Sequence, residues 1–138
     1  MRIMAIDYGD AHTGIAISDP TGLLAGFTTV INSRRQEVVV EQVAALAKEH
    51  SAEELVLGHP VNMDGTLGPR SEKAKTMKVL LEAATSLPVI LWDERRTTID
   101  AHNILFNSGK NAKQRKKVVD AVAASLILEG YLTYRKNH

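Results

Sequence analysis

The sequence predicts an α/β protein built on one mixed sheet with helices on both faces. Three observations carry this. Short apolar, β-compatible runs separated by brief loops fill the first 32 residues, and from residue 36 helical-period stretches alternate with apolar runs. The chain has 138 residues, enough for one domain with a sizeable core, and shows no repeat, linker or low-complexity segment.

The elements follow in order. "RIMAIDYG" (2–9) is a strand with a turn signal at Gly9, "TGIAISD" (13–19) a second strand closed by Asp19-Pro20, and "LLAGFTTVIN" (23–32) a third. Their short connections predict antiparallel hairpins. From Gln36 to His50, Val39, Val40, Val43, Ala44, Leu46 and Ala47 share one helical face. "EELVLGHP" (53–60) is a buried strand stopped by Gly58 and Pro60, and 61–68 is a loop. Pro69 opens a helix to Thr85 with a stripe of Ala74, Met77, Leu80, Leu81 and Ala84. "LPVILW" (87–92) is the fifth strand, 97–109 a short helix stopped by Gly109, and a last helix runs from about Ala112 to Arg135. The order βββαβαβαα implies parallel pairing for the later strands, with right-handed crossovers, and an antiparallel edge from the early hairpins.

Composition excludes several classes. Cysteine is absent, which removes disulfides, thiolate metal sites and a cysteine nucleophile and fits the cytoplasm. The N-terminus meets an acid at position 7 and lacks the apolar core of a signal peptide; no apolar run approaches the ~20 residues that span a bilayer. A soluble, cytoplasmic protein without a membrane partner is expected. The formal net charge of +1 points to no partner by itself.

The chemistry concentrates at strand ends. In "LWDERRTT" (91–98) an apolar run ends in acids, arginines and threonines, with no Gly or Pro. Ligand sites in such sheets lie beyond the C-terminal ends of the parallel strands. Asp7 ends the first strand and Glu94 follows the fifth, so both reach one sheet edge. In "RKKVVDAVAASLILEGYL" Asp120 shares a helical stripe with Ala124, Ile127 and Tyr131, where an ionised carboxylate is costly unless paired or metal-bound. Three such carboxylates repel one another, and a hard divalent cation, Mg²⁺ or Mn²⁺, removes that repulsion. Two cations about 3.5–4 Å apart can activate water against a phosphodiester. Each acid also has a plainer reading: Asp7 as a cap on the Gly9 turn, Glu94 as a surface acid paired with Arg95 or Arg96, Asp120 as a first-turn acid favoured by the helix dipole.

The stretches "DYGDAHTG" (7–14), "GHPVNMDGTLGPRSEKA" (58–74), "LWDERRTT" (91–98) and "KKVVDAVAASLILEGYL" (116–132) together resemble the YqgF family, also called RuvX, of Holliday-junction-resolvase-like or pre-ribosomal-RNA nucleases. The resemblance covers nearly the whole chain in order; its specific parts are "NMDGT-x-GPR" and "DER-x-T". It implies a ribonuclease H-like fold with a five-stranded sheet of order 3-2-1-4-5, and a metal-dependent nuclease that matures the precursor of small-subunit ribosomal RNA. It places the family's catalytic, metal-binding acids on Asp7, Glu94 and Asp120, and adds Asn62 as a substrate-binding candidate. The family usually carries Arg where this chain has His12, and an apolar residue where it has His59. A cation at position 12 is thus exchanged for a group mostly neutral at pH 7, while His59, at a strand end near the site, is placed to contact substrate but is read first as a tolerated loop residue.

The basic residues supply candidate phosphate contacts. "KNAKQRKK" (110–117) has five cations in eight at the start of the last helix, where they oppose the helix dipole. A solvated face explains many such runs; phosphate binding through Lys116 and Lys117 explains this one better beside the acids. Arg70, after Pro69 at a helix start, is another phosphate candidate. Arg95 or Arg96 faces a bound strand, Thr97 and Thr98 cap the next helix with one hydroxyl able to touch substrate, and Asp93 is structural. His12 completes the set of substrate contacts. With one Trp, three Tyr and two Phe, base stacking supplies little specificity, and recognition of structured RNA by shape and backbone is expected.

Four functions compete. The first is a nuclease on structured RNA, acting on pre-ribosomal particles as a monomer or weak homodimer. The second is a four-way DNA junction resolvase, which needs two sites and hence a dimer. The third is a non-catalytic RNA-binding assembly factor, disfavoured by the three acids. The fourth is a phosphotransferase of the sugar-kinase type, which needs a second lobe that 138 residues do not supply.

Overall fold

The computed structural model describes residues 1–22, 25–60, 65, 67–93 and 112–137, with backbone alone for residue 25 and for 112–120. Five strands, β1 (Arg2–Asp7), β2 (His12–Ser18), β3 (Ala25–Asn32), β4 (Ala52–His59) and β5 (Val89–Asp93), form one sheet in the order β3-β2-β1-β4-β5. β1 pairs antiparallel with β2 and parallel with β4; β2 pairs antiparallel with β3, and β4 parallel with β5. Among the described residues three helices, α1 (Gln36–Glu49), α2 (Pro69–Thr85) and α3 (Ala112–Asn137), accompany it. The predicted sheet order, antiparallel edge and later parallel strands are all present. The short helix predicted over 97–109 lies outside the described residues.

Alternation along the strands divides the core. Met4 and Ile6 of β1, Ile15 and Ile17 of β2, and Leu55 and Leu57 of β4 pack with Val39, Val43 and Ala47 of α1 and Ala74, Met77 and Leu81 of α2. Ile3 and Ala5, Ala16, Val56 and Trp92 point the other way and pack with Ala124, Ile127, Leu128, Tyr131 and Leu132 of α3. Both faces are covered, so the strands read as continuous apolar runs and not as alternating ones. Each fully buried aliphatic side chain contributes about 1.5–3 kcal/mol of transfer free energy.

The two faces differ in relief. Branched and long side chains stand under α1 and α2, while Ala5, Ala16 and Val56 leave a low floor under α3. At the end of β5, Trp92 meets the rings of Tyr131 and Tyr134 edge-on, each with centroids 5.8 Å apart. A Cβ on Gly130 would stand 3.3 Å from the Trp92 ring, so glycine lets the helix approach closely there. The Tyr131 hydroxyl donates to the Glu54 carboxylate on β4, fixing α3 to the sheet's middle.

Helix α2 corrects one expectation. Ala74, Met77 and Leu81 are buried as predicted, joined by Ser71, but Leu80 and Ala84 face outward. They flank the stripe beyond the reach of the sheet, and at 38% Leu80 is among the more exposed large apolar side chains.

Burial, and after it the hydrogen bond to Glu54, keep the Tyr131 phenol protonated above the usual tyrosine value of 10.0. The folded chain therefore holds a proton that the unfolded chain releases as pH rises past 10.0, and this contribution to stability is lost over that alkaline range. Tyr131→Phe is expected to cost about 1–3 kcal/mol at pH 7 through the lost charge-assisted bond. It should also flatten the fall in stability above pH 10.0, as read by urea unfolding across pH. An alkaline limb of the same steepness in both proteins would contradict this role.

Candidate active site

At the C-terminal edge of the parallel strands, Asp7 is the last residue of β1 and shares the parity of Ile3 and Ala5, the α3 side of the sheet. It is partly buried and its backbone pairs with Gly14 of β2. Because β2 runs antiparallel, its first residue, His12, begins at this same edge. The turn joining the two strands is tight: a Cβ on Gly9 would stand 2.3 Å from the His12 carbonyl oxygen, so only glycine fits. The His12 ring is oriented by Asn32 on β3, with Nδ1 donating to Oδ1 at 2.6 Å.

A pocket opens beside Asp7. Tyr8 and Asp10 continue its wall from the β1–β2 turn, Gly58 and Pro60 supply the end of β4, and Arg70 and Lys73 reach in from the first turns of α2. Pro69 at the start of α2 has no N–H to lose, and Ser71 and Glu72 donate their amides to the Gly68 carbonyl, fixing the turn that carries Arg70. Lys73 bonds the Asp10 carboxylate at 3.1 Å, and that bond, ahead of the charges of Arg70 and Arg34, holds the Asp10 carboxyl below its ordinary value.

His59 stands at a strand end as expected, but it is bonded there and not merely tolerated. It is the last residue of β4, and its Nε2 lies 2.6 Å from the Ser71 hydroxyl, which is wholly buried. The pair ties the end of β4 to the start of α2 and so sets where Arg70 and Lys73 stand.

The remaining predicted residues divide clearly. Asp7, His12 and Arg70 lie at one edge, with Asp7 and Arg70 on one pocket. Asn62, Glu94, Arg95, Arg96, Thr97 and Thr98 lie outside the described residues. Lys116, Lys117 and Asp120 fall on the helical backbone of α3, Asp120 one turn before the buried Ala124, with their side chains outside the description. Asp93 closes β5 opposite His59 of β4 and has the parity of Leu91, away from α3. Sequence reasoning missed Asp10 and Lys73. Lys73 follows Arg70 by three residues on a helix, a spacing that places both on neighbouring positions of one face and was a usable signal. Among the described residues no three His, Asp or Glu side chains converge on one point. Asp7 is the described member of the predicted acidic set, and its hard oxygen donors at a strand end suit a divalent cation of the Mg²⁺ type.

A family model described as "RuvX: Holliday junction resolvase" matches residues 1–134. The chain belongs to the RuvX family. It is 44% identical over 135 residues to a protein of Halothermothrix orenii named "Putative pre-16S rRNA nuclease", covering 98% of this chain and 96% of that one. A protein of the same name from Listeria monocytogenes is 44% identical over 134 residues, with 96% and 97% covered. Among solved structures, RuvC of Thermus thermophilus in complex with a Holliday junction substrate matches with a TM-score of 0.65 at 15% identity, over 98% of this chain and 96% of RuvC. A ROK hexokinase of Thermus thermophilus matches at a TM-score of 0.52 and 22% identity, over 75% of this chain but 38% of the kinase. These last likenesses concern the fold alone, and the RuvC match makes it the ribonuclease H-like fold expected of this RuvX nuclease family. No helix among the described residues is long and apolar enough to cross a membrane.

His59→Ala is expected to cost about 1–3 kcal/mol, because it leaves the buried Ser71 hydroxyl without its partner. In urea unfolding, His59→Ala with Ser71→Ala should cost clearly less than the two single changes summed. Strict additivity would show that the two side chains do not interact.

Proposed function

We propose that this chain is a metal-dependent nuclease that hydrolyses phosphodiester bonds in structured nucleic acid and processes the precursor of small-subunit ribosomal RNA. The carrying observation is Asp7 at the end of β1, on a pocket that also holds the cations Arg70 and Lys73. An acid beside cations is the arrangement that phosphodiester hydrolysis requires: one group holds a metal ion, the others hold the phosphate. The names of the curated relatives support the RNA substrate.

In this reading Asp7, Glu94 and Asp120 hold Mg²⁺ or Mn²⁺. When bound, the cation lowers the pKa of a water and stabilises charge developing on the phosphate. The chain's own cations do the positioning. Arg70, at the first turn of α2, takes a non-bridging phosphate oxygen, aided by the positive end of the helix dipole. His12, oriented by Asn32, faces the strand at the other side of Asp7. Asn62, which follows β4 in the chain, and Arg95 and Thr97, which follow β5, contact the substrate. Lys116 and Lys117 hold the backbone further along by charge, without reading bases. The enzyme works in the cytoplasm on pre-ribosomal particles, as a monomer or weak homodimer.

The test is cleavage of end-labelled substrates: a small-subunit ribosomal RNA precursor, single-stranded RNA and a four-way DNA junction, each with Mg²⁺, Mn²⁺ or chelator. RNA cleavage that needs metal, and that Asp7→Asn and Asp120→Asn abolish while both variants stay folded, supports the proposal. Junction cleavage alone transfers the site to DNA resolution. RNA binding without cleavage under every condition makes the fold an assembly factor. Lys116→Ala with Lys117→Ala should weaken binding and reduce the slope of log affinity against log salt by about 0.7–0.9 per lost phosphate contact. An unchanged slope would remove both lysines from the interface.

A further inference from the structure

The ion pair between Lys73 and Asp10 joins residues 63 positions apart, both of them lining the pocket that Asp7 also lines. Its side chains are 56% and 73% exposed. A pair so open to water contributes little to stability, because solvent screens it and two side chains lose freedom to form it. Its position is more informative than its strength. The Asp10 carboxylate stands against the Lys73 ammonium, close enough to Arg70 and Arg34 for both to favour its charged form. One cation thus bonds this anionic group and two more favour its charge, on a pocket that the catalytic candidate Asp7 also lines. A carboxylate and a phosphodiester present the same feature to a lysine, an anionic oxygen at hydrogen-bond distance.

We infer that Lys73 is a phosphodiester-binding residue of this site, working with Arg70, and that the Asp10 carboxylate occupies Lys73 in the absence of nucleic acid, standing where a backbone phosphate binds. This rests on the nuclease reading above and adds a residue and a control element to it. Nucleic acid displaces Asp10 from Lys73, and the weakness of an exposed pair makes that exchange easy. The turn carrying Asp10 is fixed at Gly9, so the displaced carboxylate moves by side-chain rotation while the strand ends keep their places. A strand carrying no phosphate at this point leaves the pair closed. The pair therefore acts as a selectivity element for a backbone that passes between the β1–β2 turn and α2.

The experiment is binding, separated from cleavage. A fluorescently labelled RNA duplex with a single-stranded overhang is titrated in EDTA with the unaltered protein, Asp10→Asn, Lys73→Gln and the double variant, at several salt concentrations. Lys116→Ala with Lys117→Ala is run alongside. Asp10→Asn should tighten binding roughly two- to five-fold, the scale of an exposed ion pair released. Lys73→Gln should weaken binding and lower the salt slope by about 0.7–0.9, the loss of one phosphate contact. In the Lys73→Gln background, Asp10→Asn should no longer tighten binding. Equal tightening in both backgrounds would overturn the inference, since Asp10 would then act only through the overall charge. So would a Lys73→Gln protein with unchanged affinity and slope while the Lys116 and Lys117 change weakens binding; the nuclease reading would survive that result. No binding by the unaltered protein to this RNA or to a four-way DNA junction would overturn both.

Discussion

The alternation of side chains along β1 is the constraint on which the rest of this molecule depends. Ile3 and Ala5 look toward α3, Met4 and Ile6 toward α1 and α2, and all four are wholly buried. A shift of one residue would turn each of them to the wrong layer, so the register of β1 against β2 and β4 is firmly specified. Asp7 inherits its direction from this. It stands at the first position after the buried run, with the parity of Ala5, and so meets the layer that α3 provides. The chain does not need a separate device to aim this carboxylate; the packing of four apolar residues before it does so.

The layer on that side is held by different means. Small side chains on β1 and β2 let α3 come close, and a close helix gains dispersion contacts along its buried stripe. Small residues alone would leave the helix able to slide along its axis. The Trp92 ring against Tyr131, Tyr134 and Gly130, and the Tyr131 hydroxyl on Glu54, oppose that freedom because rings and hydrogen bonds have directions. Fixing the C-terminal half of α3 also fixes the path of its first turns, on which Asp120, Lys116 and Lys117 are carried.

What could be read from the sequence was local or periodic. Helix α2 begins at Pro69 and ends at Thr85 as expected, because proline marks a first turn and Ala74, Met77 and Leu81 repeat at helical spacing. The acid at the end of β1 was legible because an apolar run stops there. The strand ends at Asp7 as expected, and at Gly9 the close approach of the His12 carbonyl turns the chain away from its ladder. Long-range pairing was not legible. Nothing near His59 announces Ser71 as its partner, and Asp10 and Lys73 are joined only once β1 and α2 have been brought to one edge. The outward turn of Leu80 and Ala84 was hidden for the same reason: a periodic stripe gives the centre of a buried face, while its width depends on what packs against it.

The two layers also divide the chemistry. The side of α1 and α2 brings Arg70 and Lys73, which are fixed by a helix start and by the His59–Ser71 bond; the side of α3 brings the parity of Asp7. A sheet separates these layers everywhere except beyond its strand ends, so cations from one and a carboxylate from the other can act on a single phosphate only at that edge. The strand order strengthens the restriction. Strands lie ~4.8 Å apart, so β4 between β1 and β5 holds the strand that precedes Glu94 ~10 Å from β1. Groups from β1, β5 and both helical layers can meet only above the end of β4. Gly58, which carries no side chain, lies on the pocket there, one residue before the strand's end. The strand between β1 and β5 thus supplies room at the edge where Asp7, Arg70 and Lys73 line one pocket.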